Sequence, residues 1–252
     1  MTFDVPADAY DRFMGRYSRL LSPQLADFAG VRAGQWVVDV GCGPGALTAE
    51  LVQRLGPTAV AAVDPSGPFV AAARARFPAV DVRQASAEQL PFPGQSFDAA
   101  IAQLVVHFMS DPVAGLAEMA RVTRRDGIIA ACVWDHGGGQ GPLSLFWQAA
   151  GELDPDVNDE SQLAGAREGH LAELFEAAGL HAIQETVLSA SLEHPTFEEW
   201  WDPFTHGVGP AGAYVAGLNA DRQAELRERC RRLVPTAPFV LTARAWTTRG
   251  VA

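Results

Sequence analysis

The spacing of hydrophobic positions changes near residue 36, from a helical period to short apolar runs. Upstream of that point, apolar residues at spacings of three and four predict one face of an amphipathic helix. They are Tyr10, Phe13, Met14, Tyr17, Leu20 and Leu21. Ser22-Pro23 has the form of an N-cap followed by proline at the first helical position. We therefore expect a second, short helix to begin at Pro23.

Short apolar runs alternate with helical patterns between residues 36 and 134. The predicted strands are 36–40, 59–63, 80–83, 97–102 and 127–134. The predicted helices are 46–55, 68–76 and 112–120. Strands that are apolar along their whole length and alternate with helices indicate a parallel sheet covered on both faces. Right-handed crossovers make such a sheet doubly wound, so we expect an α/β fold.

The second half of the chain is less regular. A glycine-rich and acidic insert at 135–168 contains one helical pattern at 143–153. The further predicted helices are 171–178, 196–205, 211–218 and 221–233. Strands are predicted at 182–192 and 239–247. This order predicts that a hairpin-like pair completes the sheet and that the helices between its strands form a lid.

The charge balance narrows the chemistry. The 252 residues include 19 basic and 30 acidic ones, a net charge of −11, and every basic residue is an arginine. Without lysine, the chain can form neither a Schiff base to pyridoxal phosphate nor a Walker-type phosphate loop. The acidic surplus disfavours nucleic acid as the main ligand. We therefore expect a small neutral or cationic ligand.

Cysteine usage and hydropathy both favour a cytoplasmic protein. Cys42, Cys132 and Cys230 are odd in number and widely spaced, which fits neither a disulfide framework nor a zinc site, so no metal is expected. No run approaches the roughly 18 apolar residues of a membrane span. Residues 1–11 lack the apolar stretch of a signal peptide. We therefore expect no membrane partner.

The most informative segment is a glycine-rich turn after the first predicted strand. Gly41, Gly43 and Gly45 lie between that strand and a helix start. Glycines allow the backbone to approach a ligand closely, and a helix N-terminus presents free N–H groups. Gly41, Gly43 and Ala46 also satisfy the dinucleotide pattern, and Asp64 can hold a ribose in either case. An NAD(P)-binding oxidoreductase is therefore one alternative.

Asp39, two residues before the first of these glycines, helps to separate the alternatives. A carboxylate here would repel a pyrophosphate by several kcal/mol at about 4 Å and an effective dielectric near 20. S-adenosylmethionine (SAM) carries an ammonium and a sulfonium group, both of which a carboxylate attracts. Asp39 therefore favours SAM as the ligand, with its ribose at Asp64.

Four blocks of sequence follow one another along the predicted strands and turns. They are Val-Asp-Val-Gly-Cys-Gly-Pro-Gly at 38–45, Ala-Val-Asp-Pro-Ser at 62–66, Ala-Glu-Gln-Leu-Pro-Phe-Pro-Gly-Gln-Ser-Phe-Asp at 87–98 and Arg-Val-Thr-Arg-Arg-Asp-Gly at 121–127. In this order they resemble the class I SAM-dependent methyltransferases, in particular the type 11 and ubiquinone-biosynthesis C-methyltransferase-like proteins.

The resemblance implies a doubly wound, seven-stranded, mostly parallel Rossmann-like methyltransferase sheet. It implies a single domain over 1–252. N-terminal cap helices would occupy 1–34, the SAM-binding half 35–134, and the helical lid and sheet completion 135–252.

The resemblance also implies which residues bind the methionine part of SAM. The backbone of Gly41, Gly43 and Gly45 would line the methionine and the ribose. Asp39 would face the amino acid part, directly or through water. The carbonyl of Gln103, at the end of the fourth strand, would meet the ammonium.

Other matching positions would hold the rest of the molecule. Asp64 would accept both ribose hydroxyls, Pro65 would flank the adenine, and the N–H of Ala87 would meet an adenine ring nitrogen. Tyr17, on the N-terminal helix, would close over the carboxylate. Ser86 stands where the family often has Asp, so we expect weaker recognition of the adenine amino group.

His107 follows the fourth predicted strand and is the candidate general base, since its unperturbed pKa is near neutrality. Alignment supplies much of the rate of methyl transfer, so a non-catalytic histidine is the alternative. The predicted reaction transfers methyl from SAM to a small-molecule acceptor and leaves S-adenosylhomocysteine. A catalytically silent SAM-binding regulator is the remaining alternative.

Overall fold

Seven strands form one sheet. They are β1 (Val37–Val40), β2 (Val60–Asp64), β3 (Asp81–Gln84), β4 (Phe97–Gln103), β5 (Thr123–Trp134), β6 (His181–His194) and β7 (Phe239–Val251). Their order across the sheet is β3-β2-β1-β4-β5-β7-β6. Strands β1 to β5 pair in parallel, whereas β7 runs antiparallel to both β5 and β6. The predicted doubly wound, seven-stranded, mostly parallel sheet with a terminal hairpin-like pair is confirmed.

The structure is a computed structural model that describes residues 7–252. The α-helices are α1 (Ala7–Tyr10), α2 (Arg16–Phe28), α3 (Ala46–Leu55), α4 (Gly67–Arg76), α5 (Pro112–Val122), α6 (Ser144–Leu153), α7 (His170–Ala177), α8 (Phe197–Trp201), α9 (Gly209–Gly217) and α10 (Ala220–Leu233). A π-helical turn at Asp11–Gly15 joins α1 to α2. Residues 1–6, which belong to the expected cap helices and to the segment tested for a signal peptide, lie outside the described residues.

The parallel strands are buried on both faces, which explains their continuous apolar sequence. Val37 and Val38, neighbours in β1, belong to two different buried clusters because successive side chains point to opposite faces. The first cluster includes leucines of α2 and α3, and the second includes residues of α5 and α7. These layers fix the carboxyl ends of β1, β2 and β4 side by side.

The expected helix boundary at Ser22-Pro23 is wrong. Helix α2 continues from Arg16 to Phe28 with Pro23 inside it. Leu21 and Leu25 on either side of Pro23 are fully buried, and each such leucine contributes about 1.5–3 kcal/mol. Together they offset the roughly 3 kcal/mol that an interior proline costs a helix. Packing of the continuous apolar stripe therefore overrides the local signal.

A third buried cluster joins the N-terminal helical segment to the helices between β5 and β7. The ring of Phe204 lies 5.2 Å from that of Phe13 and stacks on Phe146 at 4.5 Å, measured between centroids. This aromatic contact holds α6 and the helices after β6 against the start of the chain. None of the helices in residues 7–252 is long and apolar enough to cross a membrane.

Candidate functional site

The turn between β1 and α3 is shaped by glycines in the left-handed region. The φ angles of Gly41, Gly43 and Gly45 are 74°, 53° and 96°, which L-residues with a Cβ rarely adopt. A Cβ at Gly41 would also overlap the side chain of Val105. The N–H of Gly41 donates to the carbonyl of Val63 at 2.8 Å, which ties the turn to β2. The turn therefore presents backbone where other residues would present side chains.

Asp39 lies in β1 just before this turn and is 1% exposed. Its Oδ2 accepts a hydrogen bond from the Thr48 hydroxyl at 2.6 Å. Its Oδ1 has no partner among residues 7–252. Burial raises the pKa of Asp39 from 3.8 to about 7, partly opposed by the Thr48 bond and reinforced by the charge of Asp64. A ligand cation near Oδ1 would stabilise the ionised form.

Asp64 ends β2 and holds the turn from the opposite side. Its Oδ2 accepts the N–H of Gly43 and its Oδ1 accepts the N–H of Ser66, each at 2.8 Å. Burial raises the pKa of Asp64, while these two bonds lower it. Each carboxylate oxygen has a second lone pair, so Asp64 can still accept bonds from a ligand.

The strand ends and the glycine turn enclose a cavity of about 220 Å³. Seven of the predicted cofactor-binding residues line it. They are Gly41, Gly43, Asp64, Pro65, Ser86, Ala87 and Gln103. Two others lie just outside the lining, because Asp39 points behind the turn toward Thr48 and Gly45 is the N-cap of α3. The structure thus brings these nine residues together around one cavity.

Several further residues of this cavity were not predicted as site residues from the sequence, although Glu88 lies within the block at 87–98. They are Tyr10, Phe69, Glu88, Leu104, Val105, Phe108, Met109 and Ser110. Glu88 closes one side, because its Oε1 accepts the N–H of Ser110 at 2.8 Å. Leu104 has φ 62° directly after β4. Such a backbone conformation costs about 1–3 kcal/mol and tends to occur at functional sites.

Tyr17 does not occupy the position expected for it. Its hydroxyl lies 3.1 Å from Nε2 of His194, and its ring packs edge-on against Trp134 with centroids 6.0 Å apart. Tyr10, on the same apolar stripe, lines the cavity instead and contacts Phe69 at 5.2 Å between ring centroids. In this structure Tyr10, and not Tyr17, therefore lines the cavity.

Comparison with known proteins agrees with this geometry. Residues 38–131 match the family model of the methyltransferase domain. The chain is 29% identical to nocamycin O-methyltransferase of Saccharothrix syringae. The match covers 98% of this chain and 80% of that protein. It is 35% identical to malonyl-[acyl-carrier protein] O-methyltransferase of Erwinia billingiae over 50% of this chain and 49% of that protein. The chain is a class I SAM-dependent methyltransferase.

Solved structures share the fold over nearly the whole chain. The YcgJ protein of Bacillus subtilis superposes with a TM-score of 0.60 at 20% identity, covering 91% of this methyltransferase and 97% of that chain. SAM is the methyl donor of the class. When bound, it supplies an activated methyl group on a sulfonium.

Two buried acceptor atoms show that this methyltransferase suits a ligand with an ammonium group. Oδ1 of Asp39 and Oε1 of Gln103 both lack a partner within the described part of the chain. Nε2 of Gln103 donates to the carbonyl of Ser18 at 3.1 Å, which fixes the orientation of the amide. Unpaired buried acceptors are costly, so the ammonium of SAM fits them.

Cys42 lies within the glycine turn and is buried. Burial raises the pKa of the Cys42 thiol well above its ordinary value, so the thiol stays protonated and is a poor nucleophile. No group of three side chains that could hold a metal ion occurs between residues 7 and 252.

The candidate base His107 lies in a second, smaller cavity of the methyltransferase, about 30 Å³ in volume. His136 and Glu160 line the same cavity and were missed, because they belong to the insert, where no motif marks them. The ring centroids of the two histidines are 6.0 Å apart. Burial lowers the pKa of His107 well below 6.5 and that of His136 to about 4, and it raises the pKa of Glu160 to about 7.

Proposed function

We propose that this methyltransferase binds SAM in the larger cavity and transfers its methyl group to a small-molecule acceptor, leaving S-adenosylhomocysteine. The observation that carries the proposal is the unpartnered Oδ1 of buried Asp39 behind a turn of left-handed glycines. Asp39 and Gln103 hold the ammonium, directly or through water. The backbone of the glycine turn lies along the methionine and the ribose.

The other end of the cavity suits a nucleoside. Asp64 accepts the ribose hydroxyls, and Pro65 lies against the adenine. The N–H of Ala87 donates to an adenine ring nitrogen, and Ser86 accepts from the adenine amino group. Ser86 is uncharged, so its hydrogen bond contributes about half as much as one to a carboxylate.

The acceptor is proposed to be a small molecule because the space beside the SAM site is narrow. The larger and the smaller cavity are neighbours that share three lining residues, Tyr10, Leu104 and Phe108. Helical segments of the second half enclose the smaller cavity. The relative that matches over nearly the whole chain is named for a small-molecule acceptor, nocamycin.

Calorimetric titration with SAM, S-adenosylhomocysteine and NADH tests the cofactor part of this proposal. We expect micromolar binding of the first two and no binding of NADH. Binding of NADH without SAM would overturn the proposal. Transfer of isotope-labelled methyl from SAM to small molecules, with denatured enzyme as control, tests the acceptor part. Label that appears only on protein or nucleic acid would contradict it.

A further inference from the structure

The smaller cavity is the place where an acceptor can face the proposed methyl donor. Its common wall with the larger cavity consists of Tyr10, Leu104 and Phe108. The opposite side is apolar and includes Leu143 and the first residues of α9. The smaller cavity is therefore the direct neighbour of the SAM site.

Two histidine nitrogens in this cavity lack a hydrogen-bond partner. Nδ1 of His107 and Nε2 of His136 are buried, and neither bonds to another atom in residues 7–252. An unsatisfied buried polar atom costs about 1–3 kcal/mol. A hydroxyl group of a ligand can remove that cost, because it donates to one nitrogen and accepts from the other.

The charges around the cavity favour an uncharged ligand. None of the described arginines lines it, and the chain has no lysine. Burial lowers the pKa of both His107 and His136, so both rings are neutral at pH 7. A phosphate or carboxylate would therefore be buried without a counter-charge.

A cationic amine is also poorly matched. Glu160 is the acid in the cavity lining, and burial raises its pKa to about 7. One of its oxygens already accepts the indole N–H of Trp147 at 2.8 Å. Glu160 thus supplies only part of a negative charge at neutral pH, whereas the two neutral imidazoles are ready to bind a hydroxyl.

We propose that the smaller cavity receives the hydroxyl group of an uncharged acceptor, such as a phenol or an enol, and that His107 takes the proton of that hydroxyl during O-methylation. This rests on the proposed function of the larger cavity. His107 directly precedes Phe108, which lines both cavities, whereas His136 belongs to the insert, so we assign the base to His107. His136 is a positioning residue that holds the hydroxyl.

The transfer step is balanced without a further reactant. The O–H bond of the acceptor breaks, the proton goes to the neutral ring of His107 and the electron pair stays on oxygen. The oxygen forms a bond to the methyl carbon as the carbon–sulfur bond breaks, and that electron pair stays on sulfur. His107 then carries the positive charge that the sulfonium has lost, and releases the proton to water.

The test uses the whole enzyme, methyl-labelled SAM and three sets of acceptors: phenols and enols, primary amines, and aromatic carboxylic acids. We expect label in methyl ethers of the first set. His107→Asn should lower kcat by about 100-fold or more and change the Kd for SAM less than twofold. The loss should shrink for acidic phenols such as 4-nitrophenol, which ionise without a base. His136→Asn should mainly raise the KM for the acceptor. His181→Asn replaces an exposed histidine of β6 and is the matched control.

Four results would overturn this inference: label on amines or carboxylates instead of hydroxyls, no labelled ether although SAM binds, wild-type kcat in His107→Asn, or a loss independent of phenol acidity. Failure of the wild-type enzyme to bind SAM would instead refute the proposed function, so the two failures are distinguishable.

Discussion

Replacing Asp39 by asparagine should stabilise the free enzyme at neutral pH and weaken its binding of SAM. Asparagine keeps the shape of the side chain, and its amide oxygen can still accept the Thr48 hydroxyl that bonds to Oδ2 at 2.6 Å. The substitution removes the buried charge. Stability and function are therefore expected to change in opposite directions.

The size of the stability change follows from the pKa of Asp39, which burial raises from 3.8 to about 7. Because the folded-state pKa is raised, the contribution of Asp39 to the free energy of unfolding is fully present below about pH 4. It is lost as the pH rises through about 7. The loss at pH 7.5 is about 4 kcal/mol at 1.36 kcal/mol per pKa unit. The unpaired amide of asparagine costs about 1–3 kcal/mol. The net gain is about 2 kcal/mol, or roughly 5 °C in Tm for a chain of this size.

Binding of SAM should show the reverse effect. The ammonium stabilises the ionised form of Asp39, so the wild-type affinity should fall by up to about tenfold per pH unit as the pH drops below 7. Asp39→Asn should raise the Kd at pH 7.5 by about tenfold or more, because the attraction to the ammonium is lost. The variant should also lose most of this pH dependence.

Thermal unfolding at pH 4.5 and 7.5, together with calorimetric titration of SAM from pH 5.5 to 7.5, checks both effects. The variant should be more stable than the wild type only at pH 7.5. Asp126→Asn, at an exposed acid outside both cavities, controls for a general change in charge. An unchanged Tm at pH 7.5 would show that Asp39 carries no buried charge. An unchanged Kd would refute its contact with the ammonium.

Four other substitutions test residues in and around the larger cavity. Gly41→Ala should raise the Kd for SAM at least about tenfold, because φ is 74° and the methyl group would overlap Val105. Tyr10→Ala should also raise the Kd for SAM, because Tyr10 lines the cavity. Tyr17→Phe should leave this Kd unchanged. It should lower the free energy of unfolding by about 1 kcal/mol, because the hydrogen bond of the hydroxyl is lost. Thr48→Val should raise the pKa of the neighbouring carboxyl further and shift the pH dependence of SAM binding upward.

Calorimetry of SAM binding and denaturant unfolding measure the outcomes for all four variants. A larger increase in the Kd for SAM in Tyr17→Phe than in Tyr10→Ala would reverse the assignment of the two tyrosines. Wild-type affinity in Gly41→Ala would contradict a close approach of the ligand to the turn. A downward shift in the pH dependence of SAM binding in Thr48→Val would show that the Thr48 hydroxyl does not stabilise the ionised carboxylate of Asp39.

The parallel half of the fold was predictable because local and tertiary preferences agree there. Helix α3 was predicted at 46–55 and occupies Ala46–Leu55, bounded by Gly45 and Gly56. The start of β5 was less predictable. This strand begins at Thr123, four residues before the predicted start, and includes the charged segment 124–126 before its buried apolar part. Residues 124–126 lie in a register shift between Thr123 and Ile128, which are both paired with β4. Hydropathy alone cannot detect such a shift, since the partner strand is distant in sequence.

The residues of the candidate site were likewise predictable from the sequence only in part. The glycine turn, Asp39 and Asp64 have a fixed spacing along the chain, so the sequence alone places them together. Tyr10 and Tyr17 lie on one helical stripe, and periodicity cannot tell which of the two reaches the cavity. The smaller cavity depends on how the insert folds back, and the one helical pattern of residues 135–168 does not determine this.

The position of β7 between β5 and β6 has a consequence for synthesis on the ribosome. Strand β6 has no sheet partner until Phe239 and the residues after it have been made. At about 5–20 residues per second, the segment between His194 and Phe239 takes roughly 2–9 seconds. An unpaired strand edge invites aggregation. The earlier-made helix α2 contacts β6 through Gln24, whose amide donates to the carbonyl of Ser189 at 2.9 Å. Helix α2 is thus the element available to shield the nascent strand.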